Sequence, residues 1–321
     1  MFRRRRLAKS RREYELQPAP EFLFERRPYE LRCIDRKPGQ REIGERETRA
    51  VVVAGNQAPY LLTRLDELRF SQADVPVLTV TADPSNCVAV AGSSTADWSL
   101  RFCAQGEGEA EDDARERLHQ ISMTRAGGTV SLMGPHLLSA HPTRMGRGHL
   151  VVDAPADAPI VIHVSYAAVQ IRDLSGRVRV AATHGRTTIL DTTGQVDATA
   201  MVVDFAGSSG CVTLSAEAEI NLKLSTARFD GTLLAWAQRS VRTLVPPGFL
   251  TPFRAIVSRR HDFVCRAEFG SRVTREKKGD LYYFTYAGDN TVAPEAAMHL
   301  RSEQATVVID TMKETKSSGA S

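Results

Sequence analysis

The chain has 321 residues, of which 42% are hydrophobic and 25% are charged, and its formal net charge is +4. This balance is ordinary for a soluble globular protein, allows a sizeable core and argues against a wholly disordered chain. No apolar run approaches the roughly 20 residues that a membrane-spanning helix needs, so the sequence predicts no transmembrane segment.

The first 50 residues are predicted to be a basic tail and lead-in. Residues 1–49 carry 15 Lys/Arg against 9 Asp/Glu, which leaves the rest of the chain close to −2. A candidate electrostatic tether to an anionic surface or an acidic partner is the run Arg3, Arg4, Arg5 and Arg6. The segment lacks the apolar stretch and cleavage site of a secretory signal, which predicts a cytoplasmic protein. It also lacks a nucleic-acid-binding motif, so nucleic acid is not an expected partner.

Residues 51–149 are predicted to hold strands that lead into a more regular region. The stretch "VPVLTVTADPSNCVAVAGSS" predicts two short strands joined by a turn at Asp83-Pro84. "DWSLRFCAQGEG" predicts another strand. The spacing of Tyr60, Leu65 and Leu68 instead indicates a short helix or turn.

The same region contains the one predicted helix, near residues 109–123, with the sequence "EAEDDARERLHQISM". Its acidic first turn suits the positive end of the helix dipole. Ala114, Leu118 and Ile121 recur at helical spacing and form an apolar stripe. We expect this helix to cap one end of the fold.

Residues 150–312 alternate between apolar and polar with a period near two, and "CVTLSAEAEINLKLS" is the clearest example. Val212, Leu214 and Ile220 lie on the face predicted to be buried, and Thr213 and Asn221 on the face predicted to be wet. The alternation is longer than a typical strand, so we expect a bend near Ala216 or Ala218. Residues 313–321 are a polar C-terminal tail.

Glycines punctuate this region at a regular interval. Gly176, Gly185 and Gly194 lie nine residues apart, and Gly210 and Gly231 continue the series at longer steps. We interpret all five as turn glycines, because each short strand must end in a turn that often needs a positive φ. A strand of about 16 Å and its corner then make one half-coil of about nine residues.

The predicted fold is mainly β: a single-chain β-solenoid of short strands in roughly nine-residue half-coils, because only stacked coils would bury the inner faces. A sandwich or barrel with turns every 8–12 residues is the competing architecture. We favour the solenoid because the period preserves residue type as well as alternation. Three prolines in "VPPGFLTPF" interrupt the pattern at residues 245–252.

The run "VQIRDLSGRVRVAATHGRTTILDTTGQVDATA", with the strands and acidic helix before it, resembles a bacterial family of candidate adhesins of unknown function. The resemblance covers roughly residues 75–311. It implies a glycine-punctuated β-solenoid repeat domain without an established enzymatic activity. It also implies a place at the cell envelope, in contrast with the cytoplasmic location that the N-terminus predicts.

The sequence predicts no catalytic residue, no cofactor and no metal site. It lacks phosphate-binding, dinucleotide-binding, hydrolase and zinc-protease motifs. Five scattered cysteines without a CxxC pair favour reduced thiols. One enzymatic alternative is a polysaccharide-active protein that uses outward acidic residues such as Asp173, Asp191 and Asp197, with neighbouring arginines.

The predicted function is that of a non-enzymatic structural or interaction module. The candidate binding face consists of four outward residues that turn geometry and core burial do not explain. They are Gln170, Arg179, Thr188 and Asp197. Expected partners are a protein, a polysaccharide or an anionic surface. Unpaired strands at the solenoid ends would also allow homo-oligomers. A further alternative is a cytoplasmic scaffold, associated with a membrane or regulator, that the basic N-terminus tethers.

Overall fold

The computed structural model describes residues 41–45, 48–52, 60–83, 86–108, 110–134, 147–288, 298–304 and 306–312. Over these ranges the chain is mainly β, with 22 strands and one α-helix.

The elements before residue 156 form the N-terminal part of the fold. They are β1 (Arg41–Glu45), β2 (Thr48–Val52), β3 (Tyr60–Ser71), β4 (Leu78–Ala82), β5 (Asn86–Ser93), β6 (Asp97–Gly108), α1 (Glu111–His119), β7 (Ser122–Ala126), β8 (Thr129–Met133) and β9 (Arg147–Pro155). The segment that we predicted to be a helix or turn is strand β3, because twelve of its residues pair with β6 and long-range pairing overrides the local spacing.

The central strands carry the regular repeat. They are β10 (Ile160–Val164), β11 (Val169–Arg172), β12 (Val178–Leu190), β13 (Gln195–Gly207), β14 (Ser209–Leu224), β15 (Asp230–Ala237) and β16 (Ser240–Val245). The C-terminal strands are β17 (Phe253–Val257), β18 (Phe263–Cys265), β19 (Thr274–Lys278), β20 (Leu281–Tyr286), β21 (Met298–Ser302) and β22 (Thr306–Thr311), with 3₁₀ turns at Arg260–Asp262 and Glu268–Arg272.

Parallel pairing arranges these strands in two ladders. Ladder A runs through β8, β4, β10, the first halves of β12, β13 and β14, and then β15, β21 and β17. Ladder B runs through β9, β5, β11, the second halves of β12, β13 and β14, and then β16, β22 and β18. Antiparallel strands extend both ladders, so the sheet is mixed.

The two ladders enclose one hydrophobic core. Inward residues such as Val180, Ala198 and Leu214 are at most 2% exposed, and each pairs with its equivalent on the next strand. One cluster of buried residues runs from Leu62 to Ile309, across the predicted domain boundary at residue 150. Fully burying a valine or leucine side chain contributes about 1.5–3 kcal/mol, so the inner faces are the main source of stability.

Strand β14 shows why the alternation exceeds one strand length. Val212, Leu214 and Ala216 are buried on ladder A, and Ile220 and Leu222 are buried on ladder B. The pairing with β13 shifts register between these two groups, where an irregularity turns the chain from one ladder to the other. The predicted bend near Ala216 or Ala218 is confirmed.

The repeated glycines serve close backbone approach more than turn geometry. Of the five, Gly210 and Gly231 have a positive φ, near +124° and +123°, whereas Gly176, Gly185 and Gly194 do not. A Cβ on Gly194 would lie 2.1 Å from the Gly176 carbonyl oxygen, and one on Gly231 would lie 2.3 Å from that of Gly210. A positive φ therefore explains two of the five glycines and does not explain the other three. Successive backbone segments approach too closely at these positions for a side chain.

The C-terminal part departs from a simple repeat. The chain forms β17 and β18 before β21 and β22, yet β21 lies between β15 and β17, and β22 lies between β16 and β18. The strands are therefore not stacked in chain order. The break follows β16, which ends at Val245 directly before Pro246 and Pro247, and proline lacks the N–H that a ladder requires.

Helix α1 covers the core at the N-terminal end of the described structure. It packs on β6, where the Cβ position of Gly106 lies 2.2 Å from the Ala114 carbonyl oxygen, so only glycine permits this approach. Ala114 and Leu118 belong to the core cluster. The helix is shorter than the predicted range of 109–123.

Aromatic side chains and a hairpin cover the core at the C-terminal end. The aromatic residues are Phe249, Phe253, Phe263, Phe269, Phe284 and Tyr286, with ring centroids 4.2–6.4 Å apart in the contacting pairs. Strand β19 pairs with β20, and all five of its residues are exposed. Three of them are the basic residues Arg275, Lys277 and Lys278, a composition that discourages pairing with another chain.

Cysteine chemistry differs from the expectation at one position. Cys103 is buried and disulfide-bonded, whereas Cys87, Cys211 and Cys265 are free thiols. The sequence analysis favoured reduced thiols, and it could not identify this one because no short-range motif marks it.

Candidate functional site: an apolar and basic platform on ladder A

The predicted binding face separates into two places in the fold. Arg179 pairs with Asp197 on ladder A, whereas Gln170 pairs with Thr188 on ladder B. Each nine-residue step moves the chain to the other ladder, so alternate members of the series belong to different ladders. The four residues are therefore two separate pairs.

The ladder B pair leads to a buried polar cluster. The row continues from Thr188 to Asp204 and Asn221, which are 0% and 5% exposed. The Asn221 Nδ2 donates a hydrogen bond to Asp204 Oδ1 at 2.8 Å, and Arg186 Nε lies 3.2 Å from Asp204 Oδ2. Burial raises the pKa of the Asp204 carboxyl, although Asn221 and Arg186 act in the opposite direction. The prediction that Asn221 faces solvent was wrong, and this row is occupied by its own polar contacts.

The ladder A pair belongs to the first of two neighbouring outward rows, and both rows change from polar to apolar residues at β15. Up to β14 the outward residues are mostly polar, and at β15 they become apolar. The first row is Arg179, Asp197, Thr213 and Leu234, and the second row is Ala181, Thr199, Ser215 and Trp236.

The three strands beyond β15 continue this surface. Strand β21 pairs with β15, β17 pairs with β21, and β20 pairs with β17. We define the platform as seven outward residues on these four strands: Leu234, Trp236, His299, Arg301, Arg254, Ile256 and Tyr283. In register, Trp236 is followed by Arg301, Ile256 and Tyr283, and Leu234 is followed by His299 and Arg254.

The platform combines accessible apolar area with positive charge. Leu234 is 44% exposed, and Trp236, Ile256 and Tyr283 are half-buried. The chain's other tryptophan, Trp98, is fully buried and donates its Nε1 hydrogen to the Val75 carbonyl, so it has a structural role.

Two exposed guanidinium groups lie among these apolar side chains. Arg254 forms no ion pair with any residue in the described part of the chain. Arg301 Nη2 lies 3.5 Å from Glu303 Oε1, a pair with both side chains more than 40% exposed. Burial, aided by the charge of Arg254, lowers the pKa of His299, so this imidazole is neutral at neutral pH.

The positive charge extends beyond the platform. Residues 254–278 contain eight Lys/Arg against three Asp/Glu, although the sequence analysis assigned the basic excess to the front of the chain. Lys278 Nζ lies 5.7 Å from the centre of the Tyr283 ring, a cation–π distance. On the β20 side the platform therefore ends at both signs of charge, because Glu276 pairs with Tyr283 in register and lies 2.9 Å from Lys278 Nζ through its Oε2.

Sequence reasoning missed the platform, although a signal was present. Leu234 and Trp236 occupy outward positions of a strand whose inward residues, Leu233 and Ala235, follow the repeat. Outward strand positions in a soluble protein are usually polar, so an apolar residue there is a signal of a binding surface. The partners on β21 and β17 could not have been found this way, because the sequence does not reveal the strand order.

The acidic residues of the enzymatic alternative have structural positions. Asp173 and Asp191 directly follow the paired residues Arg172 and Leu190, so they occupy equivalent strand ends. Their φ values are positive, 56° and 48°, and Asp tolerates this conformation better than most residues do. Arg172 Nε lies 3.7 Å from Asp173 Oδ2. Across the described ranges, no group of three His, Cys, Asp or Glu side chains could hold a metal ion.

The tether residues Arg3, Arg4, Arg5 and Arg6 lie outside the described residues. No helix within the described part of the chain is both long and apolar enough to cross a membrane.

No protein-family model matches the chain, and no curated protein matches it. Several solved structures align with it. A candidate cell adhesion protein from Clostridium sporogenes aligns over 78% of this chain and 98% of its own, at 8% identity and a TM-score of 0.32. A candidate adhesin from Bacteroides fragilis aligns over 78% and 97%, at 9% identity and a TM-score of 0.24. A candidate lipid binding protein from Parabacteroides distasonis aligns over 78% and 97%, at 10% identity and a TM-score of 0.26. Two of these names contain the adhesion function that the sequence resemblance implied.

Proposed function

We propose that this chain is a non-enzymatic interaction module that presents the platform on a rigid β-solenoid. The observation that carries the proposal is the change of the outward rows at β15, from Thr213 and Ser215 to Leu234 and Trp236. A folded protein gains nothing in stability from apolar side chains that remain exposed. Apolar side chains left accessible together on one sheet face, among polar and charged neighbours, are typical of a binding surface.

The solenoid part of the proposal is supported by the register of the central strands. Val178 pairs with Val196, Val196 with Val212, and Val212 with Leu233, so successive coils place equivalent residues side by side. Residues 150–312 would then be the solenoid domain, and residues 51–149 the strands and helix that lead into it. Parallel ladders hold the outward residues at a fixed spacing of about 4.8 Å, which pre-organises the platform.

The predicted cytoplasmic location, the alternative at the cell envelope and the tether remain predictions. The basic residues on β17 and β19 offer a second source of attraction for anionic partners, independent of Arg3–Arg6. We therefore place the main binding surface on the platform and give the tail at most an auxiliary role.

A binding panel tests the proposed function. Wild-type protein and the double variant Leu234→Ser/Trp236→Ala are compared on acidic and neutral oligosaccharides and on vesicles of anionic or zwitterionic lipid. Tyr166→Ala is the matched control, because Tyr166 is 54% exposed and lies away from the platform. We expect at least one class to bind the wild type and the control, and to lose most of its binding in the double variant.

The same panel distinguishes the proposed function from its alternatives. Binding that survives the double variant, or no binding to any class, would show that the platform is not an interaction surface. Release of reducing ends from a polysaccharide by the wild type would support the enzymatic alternative. Vesicle binding that disappears on deletion of residues 1–12, and not in the double variant, would support the tethered scaffold.

A further inference from the structure

The platform is small and flat, which restricts the size of its ligand. Adjacent strands lie about 4.8 Å apart, so its four strands span roughly 14 Å, and same-face residues on one strand lie roughly 7 Å apart. With side-chain margins this is a patch of a few hundred Å². A stable protein–protein interface needs about 800 Å² per partner. A short, compact ligand therefore fits better than a folded protein.

The second constraint is the alternation of aromatic and cationic side chains. Along one register row, Trp236 is followed by Arg301, Ile256 and Tyr283, so a guanidinium group lies between the two aromatic residues. Half-buried aromatic rings offer an apolar face that needs no hydrogen bond from the ligand. The C–H faces of sugar rings are apolar groups of that kind.

The third constraint is charge. Arg254 and Arg301 are exposed and, in register, lie on neighbouring strands, with Arg254 next to His299. Arginine binds a carboxylate with two parallel hydrogen bonds. The carboxylate closest in sequence, Glu303, forms a single exposed contact with Arg301, and such pairs contribute little. An anionic group on a ligand can therefore replace Glu303 at low cost and can also pair with Arg254.

The exposed apolar area is too limited for a lipid surface. Within the platform, Leu234 is the one large hydrophobic residue with more than a third of its area exposed. On the β14 side, Leu234 pairs with Thr213 and Trp236 pairs with Ser215, and both of these partners are polar. Such a surface has few groups to insert into a bilayer but many that can hydrogen-bond to hydroxyl groups.

Resting on the proposed function, we propose that the platform binds a short segment of a uronic-acid-containing saccharide. Trp236 and Tyr283 contact the apolar faces of sugar rings, and Arg254 and Arg301 bind sugar carboxylates. His299 lies between Leu234 and Arg254 in register, where a neutral imidazole can donate or accept a hydrogen bond with a sugar hydroxyl. The upstream outward residues Arg179 and Asp197 lie on the same ladder face, so a longer chain would extend toward them.

Isothermal titration calorimetry with the full chain tests this assignment, using tetragalacturonate as the acidic probe and maltotetraose as its neutral counterpart. We expect the wild type to bind tetragalacturonate, and Trp236→Ala to weaken it by about tenfold or more. Arg254→Ala should weaken tetragalacturonate binding by a similar factor, and binding should fall as salt rises. The controls Tyr166→Ala and Arg177→Ala, exposed residues outside the platform, should bind as the wild type does.

Circular dichroism and thermal unfolding confirm that each variant is folded, and Trp236→Phe keeps an aromatic ring if the alanine variant is not. Two results would overturn the saccharide assignment while leaving the proposed function intact. These are platform-dependent binding of the neutral saccharide with no preference for the acidic one, and platform-dependent binding to anionic vesicles alone. Absence of binding to every probe in the panel would remove both proposals.

Discussion

The glycines that approach one another between paired strands give the most direct test of the proposed solenoid, through Gly194→Ala. A Cβ at this position would lie 2.1 Å from the Gly176 carbonyl oxygen and 2.3 Å from that of Ser175. Ordinary van der Waals contact begins near 3.4 Å, so the coils must separate locally by about 1 Å. Both obstructing atoms are backbone atoms, which cannot rotate away. Overpacking typically costs about 1–3 kcal/mol, and we expect the upper end, about 3 kcal/mol.

The assay is urea denaturation followed by far-UV circular dichroism, with thermal unfolding as a second measurement. A loss of about 3 kcal/mol corresponds to a Tm decrease of roughly 4–5 °C, because the unfolding entropy of about 2.1 cal/mol/K per residue sums over 321 residues. Gly279→Ala is the matched control. It has a φ of +60° with no atom within 4 Å of the added Cβ, so it reports backbone strain alone, about 1–2 kcal/mol.

The comparison separates two explanations of the repeated glycines. If coils stack closely, Gly194→Ala destabilises the protein more than Gly279→Ala does. If Gly194→Ala stays within about 0.5 kcal/mol of the wild type, the coils are not in contact at this position and the stacking argument fails.

Three further predictions follow from the core, the buried carboxylate and the exposed edge. Phe205→Ala removes a fully buried ring whose centroid lies 6.4 Å from that of Phe229, and should cost about 3–5 kcal/mol in urea denaturation; a loss under about 1 kcal/mol would contradict its core position. Burial raises the pKa of Asp204 above its usual 3.8, so the folded state holds this proton at higher pH than the unfolded chain does. The wild type should therefore gain stability relative to Asp204→Asn as the pH falls through the raised pKa toward 3.8, and a pH-independent difference would refute the burial of the charge. Replacing Lys277 and Lys278 together with valine removes charges from the edge strand β19 and should produce concentration-dependent association in light scattering, whereas a variant that stays monomeric would show that these charges do not protect the edge.

The alternation of apolar and polar residues in the sequence predicted much of the fold. The alternation in β14 identified its inward residues correctly because each strand residue points to the opposite face from the one before it. It failed at Asn221, which has an outward position but is buried with Asp204. Whether an outward residue meets solvent depends on what packs over it, and the alternation contains no information about that.

The glycine spacing was informative about position but not about cause. The spaced glycines are sites of close backbone approach, since a Cβ on Gly194, Gly210 or Gly231 would meet the preceding glycine of the series. The assumed reason, a positive φ, applies to Gly210 and Gly231 alone among the five. A glycine required by close packing and one required by a turn cannot be distinguished in sequence, because both exclude a side chain.

The candidate site, too, could be predicted from the sequence only in part. Leu234 and Trp236 were visible as apolar residues at outward positions, but the four residues proposed from the sequence divide between two ladders. The platform needs β21 and β17, and β21 follows β15 by about 60 residues while lying directly beside it.

The sequence by itself determined the strand-rich class of this protein, the inner faces of its central strands and the positions where the backbones approach. These depend on interactions within one strand or between consecutive coils, which a short periodic pattern encodes. The tertiary structure alone decided which strands became neighbours after Val245 and which outward residues formed one surface. That order depends on pairing between segments distant in the chain, and the strand period of two is the same for every possible order.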